Sequence, residues 1–127
     1  IFRLVIVGDG PQREFLVKYA HDLAVDSFIE WKHDLSRQQL LREYSTASAF
    51  VLLSHLESFS RVVYEALLLG VPPIVLNFGA LADLVENGSA EGVNSFAPQE
   101  IARAMLQATN QKYAVPASMS QFLDWNE

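Results

Sequence analysis

The chain contains no cysteine, which excludes disulfides, thiolate nucleophiles and cysteine-held metals and leaves no trace of a redox compartment. It is also short of basic residues. Lys and Arg number 9 against 15 Asp and Glu, for a formal net charge of −6. Non-specific nucleic-acid binding needs a basic footprint, so no nucleic-acid partner is expected. A diphosphate ligand would be repelled overall and would need local cations or helix amides. No apolar run approaches the ~18 residues of a membrane span. The longest, Ala49–Leu53, has strand length. The opening residues, Ile1–Val7, lack the length and cleavage site of a signal peptide. What is present describes a packed core: half the 127 residues are hydrophobic and 19% are charged. A chain of this length suits one domain and buries about two-thirds of its unfolded surface.

Strand-like and helix-like segments alternate. Phe2–Val7 is a near-continuous apolar run, which predicts a strand buried on both faces. Gly8-Asp9-Gly10-Pro11 supplies a turn, with Pro11 suited to a first helical position. From Gln12 to Ala24 a helical stripe carries Phe15, Leu16, Tyr19 and Leu23. Asp26–Trp31 reads as a short strand. Ser36-Arg37-Gln38-Gln39 fits a capping box before a helix with Leu40, Leu41, Tyr44 and Ala47 on one face. Ala49–Leu53 is the next strand, and a helix over Arg61–Leu69 stops at Gly70. Pro73–Leu76 is a strand, Ala80–Glu86 a short helix ended by Asn87-Gly88, and Val93–Phe96 a last strand. Pro98–Ala108 reads as a helix with Ile101, Ala102, Met105 and Leu106 on its apolar side. The stretch from Asn110 to Met119 is the least patterned, and Leu123 and Trp125 read as anchors for the end of the chain. The alternation predicts an α/β fold: a Rossmann-like three-layer αβα arrangement with a mostly parallel sheet, in one compact unit without repeat or linker.

One segment carries chemistry. Glu57 and Glu65 bracket seven residues where the Ala49–Leu53 strand hands over to a helix. Open α/β sheets bind ligands at such a crevice, outside the carboxyl ends of their strands. A carboxylate pair there accepts hydrogen bonds from the hydroxyls of a sugar or ribose. The plainer reading is that acidic residues around a helix start favour the positive end of its dipole. Gly8 and Gly10 let a backbone approach a ligand, yet the loop is neither G-x-G-x-x-G nor a P-loop, and a structural turn explains it equally.

The remaining candidates are weaker. His21, His33 and His55 lack metal-ligand spacing, so no metal is expected. His21 reads as a helix-face histidine, while His33 and His55 follow strands and are placed to line the crevice. Ser54 and His55 are adjacent on an extended segment and point to opposite faces, which discounts a nucleophile–base pair. Trp31 and Phe59 are candidates to stack on a ligand ring, Phe59 more so for lying between the two glutamates.

The order of motifs resembles a known family. Leu4–Pro11, Tyr44 with Ala47, Phe50–Ser54, Glu57–Ser60, Glu65-Ala66, Gly70–Pro72, Ile74-Val75 and Gly79-Ala80 are collinear with the C-terminal half of GT-B retaining glycosyltransferases, family 4 or group 1. The resemblance implies a domain that binds a nucleotide-sugar donor while a separate N-terminal domain binds a glycan or lipid acceptor. It implies that Glu57 contacts the donor-sugar hydroxyls and supports catalysis, and that Glu65 holds the ribose. Gly8, Gly10, Leu35, Ser58, Phe59, Ser60 and Val62 complete the implied donor site, with the amides of Phe59 and Ser60 near sugar and phosphates. No cofactor or metal is implied. A cytoplasmic location is, and peripheral membrane association of the full-length protein is compatible with it.

Several departures matter. Ser60 stands where the family has glycine, Arg61 where it has an aliphatic residue, and Asp83 where it has glutamate; the segment Glu91–Pro98 is short. The family's first strand, with its arginine and lysine that clamp the diphosphate, has no match in the chain. The resemblance thus marks residues 1–127 as one partial donor-binding domain without the acceptor domain, and the isolated chain is expected to lack transferase activity. With the family's first strand absent, direct pairing or close adjacency of Phe2–Val7 and Ala49–Leu53 is expected. A non-catalytic Rossmann-like nucleotide- or sugar-binding module is the alternative, and an unrelated flavodoxin-like domain a third.

Overall fold

The computed structural model describes residues 2–55 and 61–115. The chain divides into two compact units, 1–41 and 42–127. The division falls inside a helix, where no shift in composition marks it.

In the first unit, β1 (Leu4–Val7) leads through the glycine turn to α1 (Arg13–Asp22), a short 3-10 turn (Asp26–Phe28) and β2 (Ile29–Lys32). The two strands pair in parallel, Leu4 opposite Ile29 and Val7 opposite Lys32. Pro11 sits in the turn before the helix, not at its first position. Helix α1 ends earlier than its pattern suggests. Ala24 adopts φ 56, and the amides of Ala24 and Val25 close back on His21 and Ala20. That is a Schellman ending built on alanine in place of glycine. The expected burial does not follow. Phe15, Leu16, Tyr19 and Leu23 are all exposed, as are Leu4 and Val7 at the ends of β1, and of α1 only Ala20 is buried. A two-stranded sheet is too small to cover both the strand and the helix stripe.

Helix α2 (Arg37–Thr46) begins with the expected capping box. The Ser36 amide donates to Gln39 Oε1 (2.8 Å), and the Gln39 amide donates to Ser36 Oγ (3.2 Å). Tyr44, buried near its end, packs its ring on Phe50 at 5.3 Å.

In the second unit, β3 (Phe50–Leu52), α3 (Arg61–Leu68), β4 (Pro73–Leu76), a 3-10 turn (Gly79–Leu81) running into α4 (Ala82–Glu86), β5 (Glu91–Val93) and α5 (Pro98–Asn110) follow in order. The sheet is parallel with order β3-β4-β5. Strand β4 is central, and its alternation builds two cores. Val75 packs with Val63 and Leu67 of α3, with Leu81 just before α4 and with Leu84 within it. Ile74 and Leu76 pack on the other face with Val93 and with Ala104 and Ala108 of α5. This is the three-layer αβα arrangement, and every described strand pair in the chain is parallel.

Both glycine stops are Schellman motifs. Gly70 (φ 76) and Val71 close α3 on Leu67 and Ala66; Gly88 (φ 76) and Ser89 close α4 on Val85 and Leu84. Gly92 is required for another reason. A Cβ there would lie 2.8 Å from Val85 Cγ1 and 3.3 Å from Asn77 Cβ. Gly92→Ala is expected to lower the unfolding free energy by roughly 1–3 kcal/mol through overpacking, read as a lower urea midpoint at constant slope.

Three expectations are corrected. Of the expected direct pairing or close adjacency of β1 and β3, the pairing does not form: each is hydrogen-bonded to the strand that its own crossover helix delivers. The last strand is Glu91–Val93, two residues earlier at its start and three earlier at its end than expected, and the Glu91 carboxylate in it is engaged by Arg103 Nη1 (3.0 Å) and the Tyr113 hydroxyl (2.9 Å). Burial, and then Glu91, push the Tyr113 hydroxyl well above its ordinary value, which keeps it a neutral donor. The apolar face of α5 is Ile101, Ala104, Met105 and Ala108; Ala102 and Leu106 are exposed. Small alanines let the helix approach the sheet closely, and a pattern that weights large residues misses them. Leu123 and Trp125, with the end of the chain, lie outside the described residues.

The start of α5 is held by Glu100. Its carboxylate accepts from Ser95 Oγ and from the Asn94 amide, each at 2.6 Å, and these bonds, Ser95 first, hold it below the ordinary 4.5. A depressed folded value stabilises the native state above the ordinary carboxyl range. That contribution is lost as pH falls through the lowered value. Glu100→Gln is therefore expected to flatten the acid limb of a plot of melting temperature against pH and to leave the shape near neutrality unchanged.

Candidate functional site

Helix α3 leaves the carboxyl end of β3, so its first turn lies where α/β sheets bind ligands. Its apolar face is tightly held: Val63 and Ala66 are fully buried and Leu67 nearly so. This packing carries Glu65 inward with it. Glu65 is only 6% exposed, a rare setting for a carboxylate. Arg61, one turn earlier and half exposed, donates Nε–H to Glu65 Oε1 at 3.0 Å. The order of this pair runs against helix energetics. A cation in the first turn opposes the dipole, and an acid-before-base order is the better i,i+4 pair. Val62, beside it, is half-buried. Glu57, Ser58, Phe59 and Ser60 lie outside the described residues.

In the first unit, Gly8 has φ 148, which favours glycine, and its amide extends the β-ladder to Lys32 O (2.9 Å). Gly10 needs no such conformation, and its amide donates to Asp9 Oδ1 at 2.8 Å. The Gly10 amide is thus engaged by the loop's own carboxylate. Arg3 and Lys32 both pair with Glu30, whose carboxyl lies below its ordinary value, chiefly through the Lys32 hydrogen bond. Leu35 and Trp31 are half-buried. His33 Nδ1 lies 3.0 Å from Asp34 Oδ2, with Asp34 at φ 52. His21 sits exposed on α1, 3.3 Å from Asp26. Among the described residues no three His, Asp or Glu side chains gather as a metal site.

The sequence reading missed one cluster. His55, Phe78 and Phe96 stand two or three residues past the ends of β3, β4 and β5, and the parallel register brings them together. The His55 ring stands edge-to-face with those of Phe78 and Phe96, with ring centroids 5.7 and 5.2 Å apart. Nearby, Asn77 Nδ2 donates to Asn94 Oδ1 at 3.1 Å. His55 and Phe78, each just past a strand read from the sequence, were the available signal; Phe96 was read as part of its strand. A cavity of about 300 Å³ lies at the other end of this sheet, among Leu67, Gly70, Pro72 and Tyr113, away from the helix start that carries Arg61.

Comparison with known proteins accounts for this arrangement. The sequence profile described as "Glycosyl transferases group 1" matches residues 2–121. The Mycobacterium tuberculosis glycogen synthase is 36% identical over 99 residues, 78% of this chain and 23% of that protein. The Corynebacterium glutamicum GDP-mannose-dependent alpha-mannosyltransferase is 30% identical over 122 residues, 96% of this chain and 25% of that protein. The chain therefore spans about a quarter of the length of these relatives. Among solved structures, sucrose-phosphate synthase from Thermosynechococcus elongatus matches with a TM-score of 0.74 and 21% identity over 86% of this chain and 29% of that one. Anabaena HepE in complex with UDP matches with a TM-score of 0.69 and 19% identity over 98% and 40%. Among the described residues no helix is long and apolar enough to cross a membrane. The parallel αβα architecture, the family profile and these relatives agree, and the chain belongs to the group 1 glycosyltransferases, as a C-terminal GT-B domain.

Proposed function

We propose that the chain is the nucleotide-sugar-binding part of a longer retaining glycosyltransferase, which moves a hexose from a nucleoside-diphosphate sugar to a glycan or lipid acceptor held by another domain. The observation that carries this reading is Glu65: a buried carboxylate, held by an arginine, on the helix that leaves the carboxyl end of β3. In this reading Glu65 accepts the ribose hydroxyls and Glu57 those of the donor sugar. Phe59 and Ser60 offer amides to sugar and phosphates, with Ser58 and Val62 lining the same stretch. The relation to HepE, a protein solved with UDP, supports a nucleotide ligand.

The reaction needs no protein nucleophile and no resident metal. The acceptor hydroxyl attacks the anomeric carbon from the face that the diphosphate leaves, and the departing phosphate takes its proton. The protein contributes positioning and stabilisation of the leaving charge. A second reading, a nucleotide- or sugar-binding module without turnover, draws on the Asp9 carboxylate, which occupies the Gly10 amide that a phosphate would otherwise use.

The two readings are tested by thermal shift of the full-length protein against uridine, guanosine and adenosine diphosphate hexoses, with product analysis for each binder. One nucleotide-sugar and its free nucleotide should both raise the melting temperature; at a hundredfold excess over Kd the gain is about 2.7 kcal/mol. Stabilisation by free hexoses alone would contradict a nucleotide site. Binding without transfer to any acceptor, or to water, would favour the module.

A further inference from the structure

We infer that Arg61 is a positioning residue for the nucleotide, acting through Glu65 and not on the phosphates. The inference rests on the ribose role proposed for Glu65. Three observations lead to it. Arg61 Nε–H reaches Glu65 Oε1 at 3.0 Å, a direct hold on one carboxylate oxygen. Glu65 is 6% exposed, so the orientation of its carboxylate is set by protein partners more than by water. The arginine also stands at the first residue of α3, where a cation is electrostatically disfavoured, so helix stability does not explain its place. Its worth lies in geometry. A carboxylate that is to accept two neighbouring hydroxyls must present its plane to them before they arrive. A guanidinium Nε on one oxygen helps to hold that plane, a contact that an aliphatic residue at position 61 does not supply.

The test measures calorimetric affinities of the full-length protein for UDP and GDP and for their 2′,3′-dideoxy counterparts. Arg61→Met and Arg61→Gln are compared with the wild type, with thermal melts to establish folding. For whichever ribonucleotide binds, both variants should weaken binding by roughly three- to tenfold, the cost of a misoriented contact. Affinity for the dideoxy form should stay unchanged. The loss should also vanish when Glu65 is already Gln. Equal losses for ribo and dideoxy ligands would place Arg61 on the phosphates, and no loss for either would remove it from the site; both overturn the inference. Equal wild-type affinity for ribo and dideoxy ligands, with Glu65→Gln neutral, would instead defeat the ribose role on which it rests.

Discussion

Ile74→Ala is expected to cost about 2–5 kcal/mol of unfolding free energy, the largest effect of any single side-chain truncation considered for this chain. Ile74 is fully buried at the middle of the central strand, β4. Its neighbours are Leu76, Val93, Ala104 and Ala108, with Val51 and Leu53 packed against them. The alanines have no side chain to swing into the vacated volume, and helix α5 is held at β5 by the bond between Arg103 and Glu91. The cavity therefore persists, and the cost falls toward the upper part of that range. Leu106→Ala on the same helix is the control. Leu106 is 55% exposed, so its truncation should stay within about 0.5 kcal/mol. Urea denaturation of both variants checks the pair. A larger loss at Leu106 than at Ile74 would restore the apolar face read from the sequence and contradict the packing seen here.

The second large effect concerns ligand binding. In the full-length protein, Glu65→Ala should weaken free nucleotide and nucleotide-sugar alike, by about ten- to a hundredfold, as the loss of a hydrogen bond to a charged group costs roughly 1.5–3 kcal/mol. Glu57→Ala should spare the free nucleotide and reduce the sugar-dependent part of affinity and turnover. The distinction follows from the proposed partners: ribose is present in both ligands, the hexose in one. Because Glu65 is buried and Arg61 donates to it, Glu65→Ala also removes that bond from the guanidinium and opens space in the core. Glu65→Gln keeps the shape and isolates the charge. Calorimetry with both ligands decides the matter, and equal effects of the two substitutions on free nucleotide binding would refute the division of roles.

The second unit was legible in the sequence because its signals are local and agree. Pro73–Leu76 is a strand with the expected bounds, and Gly70 and Gly88 end their helices as glycine after an apolar run should; in the first unit Ser36 and Gln39 likewise form both halves of the capping box. What was not legible depends on context. Ala24 ends α1 in a conformation that alanine seldom adopts, so no residue type announced it. Glu91 enters a strand with Arg103 pairing to it and Tyr113 donating to it from later in the chain. The apolar stripe of α1 was read correctly as a pattern, but a two-stranded sheet cannot cover it. At the site, spacing identified Glu65 and the family resemblance supplied a role for it; neither revealed that Arg61 holds its carboxylate. The trio of His55, Phe78 and Phe96 required the register of three strands at once.

The most direct measurement is a crystal structure of the full-length protein with its nucleotide or nucleotide-sugar bound. The account predicts both ribose hydroxyls within about 2.5–3.0 Å of the Glu65 carboxylate, with Arg61 still on its other side and the diphosphate at the start of α3. A nucleotide whose ribose lies away from Glu65, or a ligand seated in the cavity beside Tyr113 at the far end of the sheet, would contradict it.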